Sequence, residues 1–86
     1  MNPFAAKLTE HLTADGRTVA RIVRESDGLK LSTVHAYKAG HRIPANIATV
    51  DALAKALHLS TGKRDILARC YRYALELNLN TRTEVP

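Results

Sequence analysis

At 86 residues the chain is long enough for one small hydrophobic core and too short for two. Its 13 Lys and Arg against 8 Asp and Glu give a formal charge of +5 and a sequence pI near 9.8, which favours a polyanionic partner, either nucleic acid or an acidic membrane surface. A single cysteine, Cys70, excludes an internal disulfide, and no apolar run approaches a membrane span or a signal-peptide core, so a cytoplasmic protein in a reducing compartment is expected.

The chain begins with Asn2-Pro3, an N-cap followed by Pro at the first helical position, where its missing N–H costs nothing. Phe4, Ala5, Leu8 and Leu12 mark one apolar face of this first helix, with Lys7, Glu10 and His11 off it, and Asp15-Gly16 ends it. Thr18 stands at the N-cap of a second helix over about 18–26, in which Val19, Ile22 and Val23 fall at helical spacing. Asp27 and Gly28 break it, because glycine adopts positive φ without steric cost. A third helix over about 30–39 turns Val34 and Tyr37 inward and leaves Ser32, Thr33, His35 and Ala36 on or beside the outward face. Gly40 ends it and opens the loop Gly40-His41-Arg42-Ile43-Pro44, in which Pro44 holds Ile43 extended.

Asn46 caps a fourth helix with the stripe Ile47, Val50, Leu53, Ala54 and Leu57. Leu59 folds back on the core, and the chain turns at Ser60-Thr61-Gly62. The last helix, about 63–77, is the strongest helical signal. Ile66, Leu67, Cys70, Tyr71, Ala74, Leu75 and Leu77 cover a face wider than one partner helix needs. Residues 79–86 lose the helical period and alternate weakly, as a C-terminal tail, an edge strand or a linker would. The expectation is an all-α, five-helix domain over residues 1–78. Its core is expected to hold Phe4, Leu8, Leu12, Val19, Ile22, Val23, Val34, Tyr37, Ile47, Val50, Leu53, Leu57, Ile66 and Leu67.

Two short helices joined by a Gly-containing turn, with small polar residues and cations on the second, fit a helix-turn-helix and a plain αα-hairpin equally well. The basic balance favours the first. The positions Gly28, Leu29, Thr33-Val34, Tyr37, Lys38 and Gly40 follow the pattern of Gly, an apolar residue, a few polar residues, Thr-Ile, then Ile, an acidic residue and Gly. Downstream come Gly40-His41-Arg42-Ile43-Pro44 and Val50-Asp51-Ala52-Leu53-Ala54-Lys55-Ala56-Leu57-His58-Leu59-Ser60. Over about residues 4–67 the chain resembles the phage repressor/Cro-type, or xenobiotic-response-element-type, helix-turn-helix family. It departs from that pattern in an extra Gly28, an inserted Ala45, and Lys38 in place of the acidic residue.

The resemblance implies a sequence-specific DNA-binding transcriptional regulator, expected to be a repressor, with helix 30–39 in the major groove of double-stranded DNA. The positions corresponding to base-reading residues are Lys30, Leu31, Ser32, Thr33, His35 and Ala36. Phosphate contacts are implied for Arg17, Thr18, Lys38, His41, Arg42 and Asn46. Family members commonly pair on palindromic sites, so a homodimer is expected, with Tyr71, Ala74, Leu75 and Leu77 as the interface and core packing competing for the same residues. Alternative roles are a protein-interaction module or antitoxin-like regulator that binds a partner protein through the last helix, and a membrane-surface binder. The latter is disfavoured by Asp65 and Glu76 on that helix.

No enzymatic chemistry is expected. His11, His35, His41 and His58 never fall i, i+4 on one helix, Cys70 lies on an apolar face, and no Gly-rich phosphate loop exists, so neither a metal nor another cofactor is expected.

Overall fold

The computed structural model describes residues 2–26 and 28–84, the side chains of 78–84 excepted. Asp27, expected to help break the second helix, lies outside the described residues, as do Val85 and Pro86 of the expected tail. Five helices follow in order: α1 (Pro3–Asp15), α2 (Val19–Glu25), α3 (Leu31–Ala39), α4 (Ile47–Ala56) and α5 (Thr61–Glu84). The fold is all-α, as the sequence predicts.

Local chemistry sets the helix starts. The Asn2 side chain accepts a hydrogen bond from the Ala5 N–H at 2.7 Å, Thr18 accepts from Arg21 N–H at 3.1 Å, and Asn46 accepts from Thr49 N–H at 3.2 Å. At its far end α3 closes on Gly40 at φ +82°, a left-handed conformation that brings the Gly40 and His41 N–H groups back to the carbonyls of Tyr37 and Ala36. His58 also has a positive φ, +54°, after α4.

α1 packs on α3 and α5, α2 packs on α3 and α4, and α4 packs on α5. Phe4, Leu8, Ile22, Val34, Val50, Leu53 and Leu67 are fully buried where these helices meet. Phe4 is the hub, meeting Tyr37 and Tyr71 edge-on at ring-centroid distances of 6.3 and 5.8 Å. Tyr71 also donates its hydroxyl to the buried carbonyl of Pro44 at 2.9 Å, which ties the loop after α3 to α5. Burial pushes the Tyr71 phenol up from its ordinary range, so the hydroxyl stays a donor.

Four expected core residues sit elsewhere. Val19 and Val23 are half-buried at the edge of the cluster. Ile47 is 41% exposed, because it is the first residue of α4 and stands above the core rather than in it. Ile66 is 47% exposed, because the inner line of α5 runs one residue later, through Leu67, Tyr71 and Ala74. The last helix also exceeds the expected 63–77. It starts at Thr61, with Ser60 accepting from Lys63 N–H, and runs to Glu84. Residues 79–84 are therefore helix and not an edge strand. Residues 78–84 contain neither Gly nor Pro, so nothing in them breaks the ladder.

Candidate nucleic-acid interface

α3 is nine residues long and held from behind. Val34 and Tyr37 anchor it in the core, which turns the opposite face outward. Lys30, Leu31, Ser32 and His35 are exposed on that side, while Thr33 and Ala36 are half-buried at its border. The six sequence-predicted base-reading positions thus divide into four on the open face and two on its flank. Lys30 is the N-cap of α3 and makes no side-chain capping hydrogen bond. Among the described residues no side chain caps the first N–H groups of α3, at the end where a helix attracts anions.

The loop after α3 carries His41 and Arg42, both exposed, and it is fixed by the buried Pro44 behind them. Lys38 is half-buried, and its carbonyl accepts a hydrogen bond from the Thr9 hydroxyl at 3.4 Å. Asn46 and Thr18 are exposed, with their side-chain oxygens engaged as helix caps.

Arg17 lies elsewhere in the electrostatic plan. Its guanidinium bonds Asp15 through Nε at 2.6 Å and Nη2 at 2.8 Å, Glu25 through Nη1 at 2.6 Å, and the Ala56 carbonyl through Nη2 at 2.9 Å. Only 17% of the side chain remains exposed. The Arg17 hydrogen bonds hold the Asp15 carboxyl down to about 2, and with Arg21 they lower Glu25 as well. The same two carboxylates keep Arg17 firmly protonated. Four of its five N–H donors join the start of α2 to the end of α1, the end of α2 and the end of α4, an internal clasp that leaves one donor for the expected phosphate contact. Asp15 two residues before it and Glu25 eight residues after it are the sequence signal that pointed this way.

Four of the cations outside the α3 region are paired with carboxylates, and Arg24, Lys55, Lys63, Arg69 and Arg72 make no ion pair among the described residues. Ion pairs join Lys7 to Glu10, Arg17 to Asp15 and Glu25, Arg21 to Glu25, and Arg64 to Asp51. No Asp or Glu occurs from Gly28 to Val50, a stretch holding Lys30, Lys38, Arg42, His35 and His41. Among the described residues none of these five side chains makes an ion pair. This gap between carboxylates is a sequence feature that a search for motifs does not weigh.

Two of the expected interface residues are internal. Tyr71 and Ala74 are 3% and 1% exposed and belong to the core, which removes them from any surface. Leu75 packs against that core, half-buried, and only Leu77 of the four is exposed. Among the described residues there is no group of three or more His, Cys, Asp or Glu side chains placed to hold a metal, and no helix long and apolar enough to cross a membrane. Comparisons with family models, with curated proteins and with solved structures return no match.

Proposed function

We propose that the protein is a sequence-specific binder of double-stranded DNA, a transcriptional regulator that lays α3 in the major groove and acts as a homodimer. One observation carries this: an outward helix face with small polar and cationic residues lies in the 28–50 stretch that holds no carboxylate. Lys30 can donate to guanine O6 or N7, Ser32 can serve several bases, and Leu31 can pack on a thymine methyl. Lys38, His41 and Arg42 flank that face as phosphate partners, and the start of α3, where Lys30 supplies no side-chain cap, favours a phosphate in the same place.

α3 holds neither Arg nor Gln, so bidentate base contacts are few, and selectivity comes from DNA shape and from the pairing of two copies. One nine-residue helix reads too few bases to pick out a site alone.

Titration of duplex binding against salt tests the reading. The logarithm of the binding constant should fall linearly with the logarithm of salt, and Arg42→Ala should reduce the slope by about one. Binding that is absent at low salt, or insensitive to salt, would overturn it.

A further inference from the structure

We propose that the outer face of α5 is a self-association surface on which a second copy of the chain packs antiparallel about a two-fold axis. The inference deepens the pairing put forward above. It is tested without DNA, so its failure and that of the DNA reading are separable.

The surface is the stripe Ile66, Cys70, Tyr73 and Leu77. Its spacings of 4, 3 and 4 residues keep the four side chains on one line of a helix and match the repeat of two helices packed side by side. The core takes a different line of the same helix, through Leu67, Tyr71 and Ala74. Ile66 is 47%, Tyr73 56% and Leu77 40% exposed, and Cys70 is half-buried between them. These are three of the five large hydrophobic side chains exposed among the described residues. Single exposed apolar side chains are ordinary, whereas three aligned on one helix mark an interaction surface. The four side chains of the stripe carry no charge, and the next positions along it are Lys63 before and Asn80 after.

Charge identifies the occupant. Arg69 and Glu76 border the stripe on one side, and on its other side stand Leu67 and Ala74, already in the core. An antiparallel copy sets Ile66 against Leu77 of the second copy and Cys70 against Tyr73 of the second copy. The bordering Arg69 then meets Glu76 of the second copy, and the two-fold repeats the pair. A parallel copy would bring Arg69 toward Ala74 of the second copy and pair no charges. Asp65 and Arg72 lie one step farther out and add no net charge to the flank. A second copy therefore complements this surface in charge as well as in apolar character. The seam runs over the twelve residues from Ile66 to Leu77, about 16 Å of helix, so the dimer should be modest and should dissociate on dilution.

Sedimentation of the full chain across a range of concentrations, without DNA, is the test. The parent should dimerise reversibly. Tyr73→Glu, at a position outside the core, should raise the dissociation constant about 30-fold or more while leaving the helical circular dichroism unchanged. Arg69→Glu should weaken the dimer, and Arg69→Glu combined with Glu76→Arg should restore it. Oxidation should leave the dimer without a Cys70–Cys70 crosslink. A parent that stays monomeric at every concentration, or a dimer indifferent to Tyr73→Glu, would overturn the proposal. A Cys70–Cys70 crosslink, or a dimer the charge swap does not rescue, would overturn the antiparallel arrangement.

Discussion

His11 and Asp15 sit a turn apart on α1 and both tie stability to pH. Burial holds the His11 imidazole below its ordinary value, and its Nε2 is enclosed without a hydrogen-bond partner among the described residues. The unfolded chain therefore takes up this proton first, near pH 6.5, and stability falls as pH drops below that point. Asp15 acts in a lower window. Held down to about 2 by Arg17, its carboxylate contributes stability that is intact above the unfolded value near 4 and is lost as pH falls toward 2. Urea midpoints measured from pH 8 to pH 2.5 should show both declines, and His11→Leu should remove the upper one. A parent whose midpoint is flat from pH 7 to pH 5 would contradict this assignment.

His58 offers a second residue-scale test. A left-handed conformation costs a residue with a Cβ roughly 1–2 kcal/mol, whereas glycine costs roughly 0.5–1 kcal/mol in unfolded-chain entropy. His58→Gly should therefore stabilise the fold by about 0.5 kcal/mol, raising the melting temperature by a few degrees. An unchanged or lower melting temperature would show that the imidazole does more at this corner than its backbone suggests.

At the scale of elements, periodicity made all five helices legible. Caps located three starts, at Asn2, Thr18 and Asn46, whereas Ser60-Thr61-Gly62 reads as a turn until the Ser60 side chain is seen to accept from Lys63 N–H. The α5 surface was less legible. Ile66 and Leu67 are both apolar and adjacent, and periodicity alone cannot tell which line of α5 faces the core. Tyr71 decides it, since its hydroxyl has a buried acceptor in Pro44. Nor could spacing separate Arg17 from Arg42, two cations with opposite surroundings. Asp15 and Glu25 near Arg17 in the sequence hint at the difference, and the folded positions of both carboxylates and of the Ala56 carbonyl show that most Arg17 donors are engaged.

These contacts give element-scale predictions. Tyr71→Phe leaves the Pro44 carbonyl buried without a donor, which should cost about 1–3 kcal/mol and loosen the loop bearing Arg42. Calorimetry and duplex titration of the variant should show both losses together. Arg17→Ala should lower stability while leaving the salt slope of DNA binding at the parent value, the reverse of Arg42→Ala. A reduced slope for Arg17→Ala would return it to the phosphate contacts.

For the whole molecule, one small core must hold α3 in place. Leu53 is 1% exposed in that core, so Leu53→Ala should cost about 2–5 kcal/mol, a large part of what a domain of 86 residues has. Unchanged melting would mean that α4 turns another face inward. The same core turns the open face of α3, within the carboxylate-free stretch from Gly28 to Val50, outward, and the proposed function rests on that face. The most direct measurement is selection of bound duplexes from a random pool. The parent should enrich two-fold-related half-sites spaced by about one helical turn, as paired copies of α3 require. A folded variant with Lys30, Ser32 and His35 all changed to Ala should bind the pool with no such enrichment. A parent that enriches nothing, or a triple variant that enriches the same site, would contradict the assignment of α3 as the reading helix.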